Sequence, residues 1–180
     1  MKRLTRSFFE KDPVTVAQAL VGKILVYSGG EGEKCLRITE TEAYWGEEDT
    51  ACHAHKGRTR RTEVMYGEPG TVYVYLCYGM HWMLNLVTGR KEQPEAVLIR
   101  ACERATGPGK LTRAMGITGD LNGTSILKED SLLFVEDDGF LCETDALKRV
   151  GIGYASREDQ EKLWRFSMRK EPRSQRQDSQ

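Results

Sequence analysis

No stretch of the 180 residues approaches the roughly 18 consecutive apolar residues that a membrane span requires, so no spanning helix and no membrane partner are expected. Cysteine is sparse. The five residues, at 35, 52, 77, 102 and 142, are odd in number, widely spaced and without a C-x-x-C pair. That speaks against a disulfide framework and for a reducing intracellular compartment. Histidine is sparser still, with three residues in all. A catalytic zinc site with three histidine ligands would consume every one of them. Excess charge is also missing: 27 cationic residues stand against 27 acidic ones. Bulk electrostatics therefore neither favours nor excludes a polyanionic partner. The basic start, Met1 to Arg6, meets Glu10, Lys11 and Asp12 where the apolar core of a leader would stand, so no secretory signal is expected.

What is present is a globular composition, 39% hydrophobic and 30% charged, at a length that suits one domain. The charge is segregated. Ala51 to Arg61 holds four cations, two histidines and no acid, whereas Lys128 to Asp145 holds one cation and seven acids. A neutral chain patterned in this way can present one basic face, although an ordinary solvated surface reads similarly. From Met168 onward the chain is almost wholly polar. The expected organisation is a domain over 1–167 and a poorly ordered tail over 168–180.

The fold class is expected to be α+β: one compact domain with a curved, largely antiparallel sheet, a protruding hairpin and surrounding helices. Asp12-Pro13 starts a helix, with Asp as N-cap and Pro at the first helical position, and Gly22 stops it. Lys23–Ser28 and about Lys34–Trp45 read as strands joined by a glycine-rich turn. The alternation of the second strand puts Leu36, Ile38, Glu40, Glu42 and Tyr44 on one face. Alternate residues there lie ~6.6–6.8 Å apart. An apolar face that ends in two carboxylates and a tyrosine is expected where a strand leaves a core and enters a cleft. Residues 46–70 read as a long loop with one short helix, and a loop of that length inside a compact domain is more often functional than filler. Thr71–Cys77 and Trp82–Val87 form a hairpin whose tip opens with Tyr78. Residues 95–102 add a strand, Gly151–Tyr154 a strand edge, and Ala155–Leu163 a helix.

Three chemistries compete for these residues. Cys52, His53, His55, Cys77 and His81 offer zinc donors, but without the paired spacings of structural sites. Glu40 or Glu42, flanked by Thr39 and Thr41, can orient and deprotonate a water. Tyr44, Tyr66, Tyr73, Tyr75 and Tyr78 are five of the seven tyrosines, packed into 35 residues beside the cationic 51–61 segment. Flat aromatics beside cations grip nucleobases and backbone, although such a stripe is also ordinary core.

Glu40-Thr41-Glu42-Ala43-Tyr44, His53, Gly70-Thr71-Val72-Tyr73-Val74-Tyr75-Leu76-Cys77-Tyr78-Gly79-Met80 and Asn85 resemble the alkyladenine (3-methyladenine) DNA glycosylases. Val97 to Ala101, Gly107 to Leu111 and Arg149 to Gly153 continue the resemblance, which spans roughly residues 6–167. Cys102-Glu103-Arg104 departs from the usual Glu-Pro at that point. The resemblance implies a monofunctional glycosylase, without lyase activity, that flips a damaged purine from duplex DNA and hydrolyses its N-glycosidic bond. It implies Glu42 as general base and Tyr44, His53, Tyr75 and Asn85 as the base pocket. Tyr78 would fill the vacated stack, and Arg100, which can also form a structural ion pair, would lie near the target phosphate. Arg58, Arg60, Arg61 and Lys110 are further candidates for the DNA backbone. No metal or organic cofactor is implied, and the partner is double-stranded DNA bound by a monomer, in the cytoplasm and on the nucleoid in a compact bacterial member. A zinc-dependent hydrolase and a non-catalytic nucleic-acid-binding module are the alternatives. Metal analysis separates the first and a base-release assay the second.

Overall fold

The computed structural model describes residues 1–30 and 32–169, so the polar tail lies, from residue 170 on, outside the described residues. Ten strands and four α-helices are present among them. The strands are β1 (Lys2–Arg3), β2 (Ile24–Gly30), β3 (Gly32–Trp45), β4 (Val72–Cys77), β5 (His81–Thr88), β6 (Glu95–Cys102), β7 (Ala105–Thr106), β8 (Leu133–Asp137), β9 (Thr144–Leu147) and β10 (Arg165–Met168). The helices are α1 (Arg6–Phe9), α2 (Pro13–Leu20), α3 (Pro108–Met115) and α4 (Arg157–Glu161). The strands form one open sheet, in the order β1-β8-β2-β3-β6-β5-β4, with β10 and β9 added beside β3 and β7 beside β6. Every strand pair is antiparallel. This is the expected mixed, single-domain architecture.

Helix α2 begins as its sequence dictates. Asp12 Oδ1 accepts the Thr15 amide at 2.9 Å, and Pro13 sits where its missing N–H costs nothing. Val16, Ala17 and Leu20 are buried against β3 and β6 in the main core, which also takes Ile38, Val97, Ile99, Leu111 and Met115. Each of these side chains larger than alanine contributes about 1.5–3 kcal/mol by leaving water. Helix α3, for which the sequence reading had no element, has Pro108 in its first turn and a left-handed Gly116 (φ +80°) just past its end. The long loop carries three single 3-10 turns, Gly46–Glu48, His53–Lys56 and Glu63–Tyr66, rather than one helix.

Two expectations are corrected. Residues 151–154 form no strand edge but a turn closed by Ala155 N–H donating to Ile152 O at 2.9 Å, with Gly151 at φ +77°. The helix behind it is shorter than expected and is capped by Ser156, whose Oγ accepts the Asp159 amide. The second correction concerns β3. Its pairing with β6 shifts register on both sides of Glu40, which resets the alternation of faces. Ile38 and Ala43 both enter the main core, and the hydroxyl of Thr41, between them, donates to Ala17 O of α2 at 2.7 Å. Glu40, Glu42 and Tyr44 share the other face, so the carboxylates are not an extension of the Leu36–Ile38 stripe.

A candidate active site on the far face of the sheet

The face opposite α2 is covered by the 46–66 loop and by residues 149–155. Two small apolar clusters seat these loops, Cys52, Ala54, Met65, Tyr73, Val87 and Ala96 in one, Ala51, Ile152 and Ala155 in the other. Tyr44 packs against both. Between the loops lies a narrow cavity of about 40 Å³ lined by Tyr44, His53, Tyr73, Tyr75, Asn85 and Tyr154, among others.

Glu42 stands behind Tyr44 and is fully buried. Its Oε2 accepts the Tyr44 hydroxyl at 2.9 Å and its Oε1 the Val150 amide at 2.8 Å. Arg100 Nη1 lies 3.3 Å from the same Oε1. Burial pushes the carboxyl above its ordinary range, while Arg100, the Val150 N–H and the Tyr44 hydroxyl pull it part of the way back. Val150, which supplies that N–H, is itself half exposed. A carboxylate with two directed donors, one adjacent cation and a lone pair to spare is equipped to accept a proton from one water.

The aromatic walls are mutually oriented. Tyr73 and Tyr75, on one face of β4, have ring centroids 5.3 Å apart. His53 meets the Tyr75 ring edge-on at 4.6 Å, and its Nδ1 is 3.0 Å from the Tyr73 hydroxyl. Burial, with Arg61 nearby, lowers His53 to a pKa of about 4, so the ring is neutral at pH 7. The Arg61 guanidinium rests over the Tyr75 ring at 4.9 Å. Asn85 donates from Nδ2 to Tyr73 O at 3.1 Å, which fixes its amide at the cavity edge.

Tyr78 is placed apart, at the tip of the β4–β5 hairpin. Cys77 O accepts the Met80 amide at 3.1 Å, with Tyr78 at φ +50° and Gly79 at φ +69°. That is a type I′ geometry, which suits Asn-Gly and strains a bulky residue at its first position. The ring is 90% exposed, with Leu76 and Met80 also exposed beside it.

The cations divide. Arg100 is bound by Glu40 (Nε to Oε1, 3.1 Å) as well as lying beside Glu42, and its side chain is only 16% exposed. The structure thus places it in the ion pair that was its alternative reading. Arg58 pairs with Glu63 and Glu92 over the Tyr66 ring. Arg60 and Lys110 are exposed and make no ion pair among the described residues. The zinc candidates do not converge: His55 Nδ1 is 2.8 Å from Glu47 O and the Cys52 thiol is pushed up to about 12 by burial. No group of three His, Cys, Asp or Glu side chains is arranged to hold a metal among the described residues.

Residues without an assigned role in the sequence reading complete the site. Arg149, the first residue of the Arg149–Gly153 stretch, is buried and forms a bidentate pair with buried Asp49, Nη1 to Oδ2 at 2.5 Å and Nη2 to Oδ1 at 2.9 Å. It also donates to Ala43 O of β3 and covers the Tyr44 ring at 4.9 Å. The neighbouring Val150 N–H is thereby aimed at Glu42. Tyr154, bonded through its hydroxyl to Ala51 O at 2.8 Å, forms an outer wall. A lone Asp in a charged loop and a lone Arg 100 positions later carry no local signal of pairing.

The chain is similar to known proteins of one family. The family model described as methylpurine-DNA glycosylase matches residues 7–106 and 103–172. A protein of Methanocella arvoryzae that carries the provisional name 3-methyladenine DNA glycosylase is 44% identical over 96% of this chain and 95% of its own length. Proteins of the same provisional name from Legionella pneumophila (strain Paris) and Borrelia garinii subsp. bavariensis are 42% and 41% identical, over 96% and 91% of this chain and 97% and 94% of theirs. No helix among the described residues is long and apolar enough to cross a membrane. The chain belongs to the methylpurine-DNA glycosylase family.

Proposed function

We propose that this glycosylase extrudes alkylated or deaminated purines from double-stranded DNA, as a monomer, and hydrolyses the N-glycosidic bond with Glu42 as the water-activating base. The observation that carries the reading is the placement of Glu42: a buried carboxylate, held by Val150 and Arg100 and bonded to the hydroxyl of Tyr44, which lines the aromatic slot. A water accepted by Glu42 gives up a proton to the carboxylate as its oxygen bonds to the sugar carbon. The electron pair of the breaking bond leaves with the base. An alkylated purine that carries positive charge departs neutral and needs no acid, so one carboxylate suffices.

The slot between Tyr75 and His53 is too narrow in this structure for a purine, which enters by displacing Arg61 from the Tyr75 ring. One cation over an aromatic face is then exchanged for another. Tyr44 and His53 are assigned to line the flipped base, and Asn85, held by Tyr73 O, is assigned to the edge where a guanine 2-amino group would clash. The strained, exposed Tyr78 is assigned to the gap left in the stack. Release of free base from duplexes that each hold one 3-methyladenine, 7-methylguanine, hypoxanthine or ethenoadenine tests the reading. Absence of release from all four would sink it. Release should survive EDTA, and restoration by zinc of chelator-abolished activity would favour the hydrolase alternative.

The wedge assignment has its own signature. Tyr78→Ser should slow single-turnover excision of hypoxanthine most in a well-stacked pair and less in a mismatch, where unstacking is partly prepaid. Equal defects in both contexts would mean that Tyr78 only shapes the hairpin. Phosphate contacts are assigned to Arg60 and Lys110, with Arg58 and Arg61 as secondary contacts and Arg100 committed to its carboxylates. Arg60→Ala and Lys110→Ala should each flatten the log–log salt dependence of DNA binding by about 0.9. Arg100→Ala should leave that slope unchanged, and a flattened slope would return Arg100 to the phosphate.

A further inference from the structure

Glu40 lies two residues before Glu42 on the same face of β3, yet the proposed reaction gives it no part. Its Oε1 accepts two arginines, Arg100 Nε at 3.1 Å from β6 and Arg165 Nη1 at 3.0 Å from β10. The register shift that separates Glu40–Ala101 from Thr41–Ile99 leaves Arg100 unpaired on β6 between those partners. Its guanidinium therefore lies between the two carboxylates. It is hydrogen-bonded to Glu40 but only adjacent to Glu42, at 3.3 Å.

We propose that Glu40 is a positioning residue that holds the Arg100 guanidinium off Glu42, so that Glu42 keeps its basicity and a lone pair for water. The proposal rests on the reading of Glu42 as the base. An arginine closed fully onto a buried carboxylate neutralises it and occupies its oxygens. By taking the Nε–H, Glu40 sets where Arg100 stops, and Arg165 anchors Glu40 from the other side. Arg165 in turn donates to Lys148 O at 2.7 Å, which ties this chain of charges to the segment that presents Val150. The other groups that face Glu42 are Tyr44 from its own strand, Arg165, its cross-strand partner on β10, and Arg149, balanced by Asp49, from the covering loop, with Tyr154 further out. Tyr44, Arg149 and Tyr154 make no hydrogen bond or ion pair with Glu40 among the described residues, so a change at Glu40 reaches Glu42 through its two arginines, of which Arg100 lies 3.3 Å from Glu42 and Arg165 holds to Lys148 O.

Single-turnover release of 7-methylguanine, whose leaving base needs no acid, should be followed against pH for three forms of the protein. In Glu40→Ala, Arg100 is left with Glu42 as its one carboxylate. The acid limb should move to lower pH by about one unit, and the neutral-pH rate should fall about tenfold, short of the ~10²-fold loss expected without the base. Glu40→Gln keeps an oxygen for the Arg100 Nε–H and should recover most of the rate, with a limb nearer wild type. A Glu40→Ala profile that overlays wild type overturns the proposal, and so does a limb that moves to higher pH. A lowered melting temperature with an unmoved limb also overturns it, marking Glu40 as a structural ion-pair member. Wild-type protein that releases no base from any lesion fails the underlying reading instead, and the two failures are distinct.

Discussion

Glu42→Gln is expected to lose at least ~10²-fold in single-turnover base release, the low end for removal of a general base, while it still binds lesion-containing DNA. The substitution is close to isosteric, and the site can accept it. The amide oxygen can take the Val150 N–H, and the amide nitrogen can donate to the Tyr44 oxygen once that hydroxyl rotates. Arg100 retains Glu40. What disappears is the proton acceptor. Release within a few-fold of wild type would remove Glu42 from the chemistry and leave the aromatic slot as a binding device.

The same variant carries a stability signature of the opposite sign. Burial raises the native Glu42 pKa above its unfolded value. Between those two values the native state holds more protons than the unfolded state, so wild-type stability falls as pH rises through that window. A glutamine does not titrate. Glu42→Gln should therefore gain stability relative to wild type as pH rises past the raised value, and the gain should fade on acidification. Thermal melts of both proteins across pH 4–8 read this directly. A gap that widens toward acid would mean that Arg100 and the amide donors outweigh desolvation, with the carboxylate pKa depressed instead.

Local chemistry was legible where neighbours in sequence are neighbours in space. Asp12-Pro13 caps its helix as written, β2 pairs antiparallel with β3, and the Tyr73–Tyr75 spacing puts both rings on one face. The α3 signals, Pro108 at the start and Gly116 just past the end, are present too, but Gly109, Lys110, Thr112 and Arg113 between them blur the apolar period. Strands β9 and β10 are only four residues each and carry weak alternation. The β3 bulge was not legible at all, because it depends on pairing with β6. Ile38 and Glu40 look equivalent in sequence, yet they end on opposite faces. The same limit hid the Asp49–Arg149 pair and the position of Arg100. A charge can be counted in sequence, but its partner is chosen by the fold.

The Asp49–Arg149 pair should dominate the stability of the site. Both side chains are fully buried. Asp49 also accepts the Trp45 amide at 3.1 Å and the Ala51 amide at 3.0 Å, so its carboxylate is fixed before the arginine arrives. Arg149→Met keeps length and packing but strands that carboxylate without its cation. Breaking one side of such a pair costs roughly 3–5 kcal/mol, which for a chain of this size lowers the melting temperature by roughly 6–20 °C. Replacing both, Asp49→Asn with Arg149→Met, removes the uncompensated charge and should recover part of that loss, although the Ala43 carbonyl still loses its donor. Base release measured well below the lowered melting temperature should stay impaired in both variants. Without Arg149 the Tyr44 ring loses its covering cation, and the Val150 N–H is no longer aimed at Glu42. A double variant as unstable as the single one would mean that the hydrogen bonds to Ala43 and Asp159, rather than the charge pair, hold the covering loop on the sheet.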